Sequence, residues 1–229
     1  MLIDFNDDER MLTEAVRRFA QQQLAPAMPR HLSDHEFPTE VVKAFGQMGF
    51  MGTSYDPEYG GGGLGTRGAA LVAELLARVE PSFAAIFLCN SAPASLVARY
   101  GNDAQKRQWL QAINEGKMIA SFGVTEPQGG SDVAGVKTTA VLQGSEYVIN
   151  GQKMFSTNAG TPLHGFSTVV AVTDPDAGAK RLSSFIVPVG TPGFSVGKPA
   201  KKIGWRFADS VELFFDNVRI PKEYLIGQR

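Results

Sequence analysis

The chain has 229 residues, 43% of them hydrophobic and 20% charged, the make-up of a soluble globular protein able to bury a real core. Its 22 Lys and Arg offset 23 Asp and Glu, with no basic block or stripe, which argues against a nucleic-acid partner. No apolar run reaches the roughly 18 residues of a membrane-spanning helix, and the acidic stretch Met1 to Arg10 is unlike a signal or transit peptide.

Up to about Lys117 the apolar residues recur with helical period. Asn6 is placed to cap a first helix, with Glu9 as its capping-box partner and Met11, Leu12, Ala15, Val16 and Phe19 as one stripe. His31 and His35 follow, four residues apart between Pro29 and Pro38; with no third ligand they read as a solvated turn rather than a metal site. Pro38 suits the first turn of a second helix through Val41, Val42, Phe45 and Met48, with Gly49 just past its end. Gly60-Gly61-Gly62-Gly63 has neither a preceding strand nor a Gly-Lys-Ser/Thr ending, so it predicts an inter-helix turn, not a phosphate loop. Thr66 caps a third helix carrying Leu71, Val72, Leu75, Leu76 and Val79. Ser82 to Tyr100, apolar nearly all round and containing Pro93, predicts a buried, kinked helix closed by Gly101. Within it Cys89, the only cysteine, allows no internal disulfide, suits a reducing, cytoplasmic setting and reads as a buried, inert thiol. Asp103 opens a fifth helix, with Trp109, Leu110 and Ile113 inward and Gly116 as its stop.

After Lys117 short β-rich runs take over: Ile119–Thr125, Thr138–Leu142, Glu146–Ile149, Lys153–Thr157, Thr168–Thr173, Ser184–Val189 and Val211–Phe215. Asn150-Gly151 between two of them predicts a tight hairpin, because such turns need positive φ at both central residues. Helices followed by strands predict an α+β chain, with an all-α domain over residues 1–117 and a β-rich domain over 118–229.

Two stretches can carry chemistry. Gly123-Val124-Thr125-Glu126-Pro127-Gln128-Gly129-Gly130-Ser131-Asp132 leaves a strand, turns at Pro127 and presents two glycines before two small polar residues. Glycines let backbone N–H groups converge on an anionic oxygen, and Thr125 and Ser131 add hydroxyls. The same residues also make an ordinary polar loop closed by Ser131 or Asp132. Met154-Phe155-Ser156-Thr157-Asn158 ends a strand in an aromatic, two hydroxyls and an amide. That set can stack on a planar heterocycle and hydrogen-bond its edge, or simply fill a core with Phe155 and begin a turn.

Taken together, the two stretches resemble a family. Thr125-Glu126-Pro127 with Gly130-Ser131-Asp132 is similar to the signature of acyl-CoA dehydrogenases, and Asn150-Gly151-Gln152-Lys153 with Ser156-Thr157-Asn158-Ala159 to their second flavin-contact strand. The resemblance extends to Glu58-Tyr59-Gly60-Gly61, Tyr100-Gly101, Ile203-Gly204-Trp205-Arg206, Glu212 to Pro221 and Leu225-Ile226-Gly227, in order along essentially the whole chain. It implies an N-terminal helical domain, a β-barrel-like middle domain and a further four-helix domain beyond Arg229. It also implies FAD as cofactor, between the middle and C-terminal domains, and an acyl-CoA substrate dehydrogenated at its α and β carbons. By position, Phe122, Val124 and Thr125 would line the flavin, Gly130 and Ser131 its phosphate side, and Phe155, Ser156 and Thr157 its ring, with Thr157 near N5. Ser131 would also touch the pantetheine arm, and Lys180 the outer part of CoA. Glu126 would hold its turn rather than act as a base. Many relatives carry Trp where Phe155 stands, which implies a smaller ring face without an indole N–H.

In the family a glutamate of the C-terminal domain removes the α-proton, and nothing in residues 1–229 matches it, so these residues alone are expected to be inactive. An electron-accepting protein is the implied partner, and a homo- or hetero-oligomer would form through the C-terminal bundle. An acyl-CoA oxidase, or a non-catalytic flavin- or CoA-binding subunit of a split enzyme, would carry the same motifs. Acyl chain length and the natural electron acceptor are not encoded in any of them.

Overall fold

Asn6 accepts a hydrogen bond from the Glu9 N–H at 2.8 Å while the Glu9 carboxylate accepts from the Asn6 N–H at 3.0 Å, so the first helix starts where the sequence predicts. It does so in a computed structural model that describes residues 4–34, 36–178 and 181–227. Helices α1 (Asp7–Phe19), α2 (Ala25–Asp34), α3 (Thr39–Gln47), α4 (Gly65–Ala77), α5 (Pro81–Tyr100), α6 (Asp103–Gln105) and α7 (Gln111–Asn114) form the first half. A π-helical turn, Ala20–Leu24, joins α1 to α2, and another, Lys106–Leu110, joins α6 to α7.

The predicted turn around His31 is corrected. His31 lies in the last turn of α2, its Nδ1 3.1 Å from the Glu36 carbonyl; His35 lies outside the described residues. Residues 20–28 contain no glycine, and Ala20, Leu24 and Met28 continue the apolar stripe at every fourth position, all three buried. Helix starts shift by a residue or two. Leu64, not Thr66, stands before α4 with no side-chain cap; Glu80 caps α5 by accepting from the Ser82 N–H; Asn102 caps α6 in a box with Gln105. The glycine cluster is an inter-helix connection, as predicted.

The centre of this half is aromatic. Phe45 lies 5.1 Å from Phe19 and Phe50, 5.5 Å from Phe83 and 5.9 Å from Phe87, centroid to centroid. Helix α5 is long and apolar enough on average to cross a bilayer, contrary to the sequence expectation of no such run. In this fold it spends that apolarity inside the protein, burying Phe83, Ile86, Phe87, Ala94 and Val97.

Strands β1 (Ile119–Gly123), β2 (Thr139–Gln143), β3 (Glu146–Ser156), β4 (His164–Val172), β5 (Leu182–Pro188), β6 (Phe194–Val196), β7 (Val211–Pro221) and β8 (Leu225–Ile226) form one mixed sheet, ordered β6-β7-β3-β2-β4-β5-β8. β1 lies off that path, parallel to β4. Beyond β1 the chain bonds β3 instead, through the Met154 N–H to the Thr125 carbonyl at 2.8 Å. Because β4 touches β2 and β2 pairs with β3, these four strands close a ring, which gives the sheet its barrel-like character. Ile149, Val169, Phe185, Val187, Leu213 and Val218 fill its core.

The predicted hairpin at Asn150-Gly151 is not there. β3 runs straight through it, and the β2–β3 turn falls at Gly144-Ser145, with Gly144 at φ 65°. Opposite Asn150 two residues of β7, Asp216 and Asn217, form a bulge, whose Asn217 N–H donates to Asn150 Oδ1 at 2.8 Å. Gly151 serves close approach, since a Cβ there would fall 2.4 Å from Thr138 Oγ1.

Candidate functional site

Past the end of β1, Glu126 and Gly129 bond each other's main chains in both directions at 2.9 and 3.1 Å, closing a tight turn over Pro127 and Gln128. A buried ion pair supports the turn from below. Lys153 Nζ, fully buried on β3, donates to Glu126 Oε1 at 2.7 Å and to the Val124 carbonyl at 3.2 Å. The Glu126 carboxylate also accepts from the Thr138 N–H (3.0 Å), the Lys137 N–H (2.8 Å) and Gln128 Nε2. Burial pushes the Glu126 carboxyl up, but Lys153 and these backbone donors pull it down further, to about 2. Burial in turn lowers the Lys153 ammonium. Both carboxylate oxygens are occupied, so Glu126 holds the turn and is not poised as a base.

The turn also uses the Gly129 N–H, so that donor is not available to a ligand. The N–H groups of Gly130 and Ser131 have no acceptor among the described residues, and both residues are exposed. A Cβ at Gly130 would meet only the Thr125 side chain, at 3.4 Å, leaving this rim open. An anionic group is the ligand such donors suit.

β3 ends alongside. Ser156, buried, donates from Oγ to the Phe122 carbonyl at 3.1 Å, and Met154 is bonded to Thr125 as described. Phe122, Val124 and Thr125, all half-buried, therefore lie beside Phe155, Ser156 and Thr157. Phe155 does not fill the core. At φ 58° its ring is turned outward and is 67% exposed, which leaves a flat apolar face free for a planar partner. Thr157 is half-buried, its side chain facing the Cys89 thiol on α5. Cys89 is thus half-buried rather than buried, and burial raises its pKa, which keeps it a thiol. Lys180 lies outside the described residues.

Sequence reasoning missed Asp209 here, and it read the Asn158 amide as free for a ligand where the fold turns it inward. Both are buried against this segment, and Asp209 sits in a loop with no periodic pattern; the small residues of Ser156-Thr157-Asn158-Ala159 were the only signal. The larger concavities lie elsewhere. One of about 590 Å³ runs along α5 past Leu88, Ser91, Ala92, Ser95 and Arg99, and none of the eight predicted flavin-side residues lines it.

Residues 6–117 match the family model for the acyl-CoA dehydrogenase N-terminal domain, and residues 121–218 that for the middle domain. The short-chain specific acyl-CoA dehydrogenase of Clostridium acetobutylicum is 36% identical over 229 residues, 99% of this chain and 60% of that protein. Among solved structures, a chain from work on the electron transferring flavoprotein of Acidaminococcus fermentans superposes with a TM-score of 0.94 at 33% identity, covering all of this chain and 60% of that one. A glutaryl-CoA dehydrogenase from Mycobacterium smegmatis in complex with FADH2 gives 0.89 at 31% identity, over 98% of this chain and 56% of its own. The chain thus spans about 60% of the length of such relatives.

Proposed function

Because this chain belongs to the acyl-CoA dehydrogenase family, with that family's N-terminal and middle domains, we propose that it forms the FAD- and acyl-CoA-facing part of an enzyme that dehydrogenates an acyl-CoA between its α and β carbons. The observation that carries the reading is the meeting of two strand ends: Ser156 on Phe122, and Met154 on Thr125. It brings an exposed aromatic face, several hydroxyls and uncommitted N–H groups to one rim, the donor set a flavin with a pyrophosphate tail requires.

In this reading Phe155 packs its ring on the flavin, Thr157 directs its hydroxyl to the ring edge at N5, and Phe122, Val124 and Thr125 line the opposite side. Gly130 and Ser131 donate to the phosphate side, Ser131 reaches the pantetheine arm, and Lys180 the outer part of CoA. FAD, when bound, supplies the two-electron acceptor for hydride from the β-carbon. The α-proton needs a carboxylate within hydrogen-bonding reach. The two buried carboxylates beside this rim, Glu126 and Asp209, are both committed to hydrogen bonds, so we assign the base to a part of the complete protein outside these 229 residues. An electron-transferring flavoprotein is the acceptor this family likeness favours, and the setting is soluble and cytoplasmic. Residues 1–117 and 118–229 serve as its two domains, and an oligomer forms through the helical region beyond them.

The test is an anaerobic assay with saturated acyl-CoAs and added FAD, following flavin bleaching and enoyl-CoA. The complete protein is expected to turn over and the 229-residue chain alone is not. Turnover by the short chain would place the base among residues described above, and recovery of a nicotinamide in place of FAD would overturn the cofactor. Rapid reoxidation by oxygen would make the protein an oxidase.

A further inference from the structure

Thr157 lies just past the last paired residue of β3, so the sheet does not hold it. Of the four non-glycine residues with positive φ among the described residues, two, Phe155 at 58° and Asn158 at 75°, bracket Ser156 and Thr157. Such backbone persists only where its surroundings over-determine it.

The surroundings here are polar and buried. The Asn158 N–H donates to Asp209 Oδ1 and the Gly160 N–H to Asp209 Oδ2, both at 2.5 Å, so one carboxylate spans two amides from 51 and 49 residues away. The Asn158 side chain, fully buried, donates from Nδ2 to the Ile86 carbonyl in α5 at 3.0 Å and to the Ala120 carbonyl in β1 at 3.2 Å. Thr161 Oγ1 donates to the Asn158 carbonyl at 2.8 Å. The fit depends on glycine at 160, where a Cβ would fall 2.8 Å from Asp209 Oδ2 and 3.0 Å from Val211 Cγ1. Helix, strand and loop thus converge on the residue after Thr157.

We propose that Asp209 and Asn158 are positioning residues for the flavin: they lock the backbone around Thr157 so that its hydroxyl faces the ring edge, and through it they set FAD affinity and reduction potential. This rests on the flavin reading given above. Neither residue touches the flavin in this scheme. Asp209 acts through the Asn158 and Gly160 amides, and Asn158 through its ties to α5 and β1. A hydroxyl left to rotate on a loosened backbone would spend part of its time away from the ring, and its donor would be lost to the reduced and oxidised flavin unequally.

The experiment uses the complete protein, purified with and without FAD, carrying Asp209→Ala, Asp209→Asn, Asn158→Gly or Thr157→Ala. Asn158→Gly keeps the positive φ and removes the amide donors, so it remains informative if Asp209→Ala folds poorly. In the flavin-free protein, Asp209→Ala is expected to speed amide exchange across residues 155–161 by roughly tenfold or more. In the loaded protein, Asp209→Ala and Asn158→Gly are expected to weaken FAD by roughly tenfold. They should also move its reduction potential in the same direction as Thr157→Ala, with Asp209→Asn recovering part through its remaining oxygen. If Thr157→Ala shifts the potential while Asp209→Ala and Asn158→Gly leave potential and affinity at wild type, the latch is a structural staple and the proposal fails. If Thr157→Ala is itself silent, the flavin-edge reading of Thr157 fails, and the proposal falls with it.

Discussion

The helical half and the strand half of this chain solve the same problem with different chemistry. Around Phe45 the interior is built of rings, Phe19, Phe50, Phe83 and Phe87, whose contribution scales with buried area and tolerates small changes of shape. The strand half buries an ion pair, Glu126 with Lys153, a Ser121–His164–Ser167 cluster and the Asn158–Asp209 latch. Buried polar groups stabilise only when every partner is in place, and they fix direction as well as distance. The proposed site lies on the polar half. A surface that must aim donors at a ligand needs directional support, which apolar packing does not provide.

That contrast can be broken most sharply at the ion pair. Lys153→Met leaves Glu126 ionised and buried without its cation, and is expected to cost about 3–5 kcal/mol in urea unfolding. Adding Glu126→Gln should restore part of this, because the uncompensated charge goes. A double variant no more stable than Lys153→Met would show that geometry rather than charge sets the loss.

Acid tests the same half. His164, buried with Nε2 3.1 Å from Ser167 Oγ, has its pKa pushed down by burial to about 4. The unfolded chain takes that proton first, near its ordinary value of about 6.5, so stability falls as pH drops from about 6.5 to about 4, by roughly 3 kcal/mol in all. Glu126, held at about 2, adds a second decline from about 4.5 downward, as the unfolded carboxylate is protonated first. Urea midpoints at pH 7 and pH 4.5 should therefore differ widely in the wild type and much less in His164→Gln. Equal differences would mean His164 titrates normally.

The aromatic half should respond mildly. Ile86→Val, in a fully buried position of α5, is expected to cost only about 0.5–1.5 kcal/mol with no pH dependence. A loss as large as that at Lys153 would erase the contrast. Smallest in stability is Ser131→Ala, at an exposed position, expected to stay within about 0.5 kcal/mol of wild type. In the complete protein it should still weaken FAD or CoA by about 0.5–1.5 kcal/mol, measured by titration, as Thr157→Ala should weaken FAD. If both bind like wild type, the two strand ends are structural.

Legibility follows the same division. Periodicity exposed the helices because the buried face of each repeats, as Val16 and Phe19 do in α1, with Leu24 and Met28 carrying the stripe on into α2. It missed the continuity there only because Pro29 signals a break that the packing overrides. In the strand half Asn150-Gly151 carried a turn signature, yet Asn150 serves a bulge in β7, 67 residues later, and Gly151 a close approach to Thr138. Thr125, Gly130, Ser131, Phe155 and Thr157 are proposed as a set through family likeness, because the local reading of each stretch leaves an ordinary loop or turn equally open. Asp209 was invisible for a plain reason: its partners are two amides brought to it only by folding.

The seam between the α6 turn and the last strands bears on how the chain is made. Gln105, in the capping box of α6, also donates from Nε2 to the carbonyls of Glu223 and Leu225 at 2.7 and 2.8 Å, 118 and 120 residues later. Beside it Trp109 packs on Phe166 at 4.9 Å and on Tyr224 at 6.1 Å. On the ribosome the helices emerge first, at several residues per second, but this seam closes only after nearly the whole sheet has been synthesised. Until then Trp109 lacks the two rings it packs on and is an unsealed apolar edge, the kind of surface a holdase chaperone would recognise on the nascent chain.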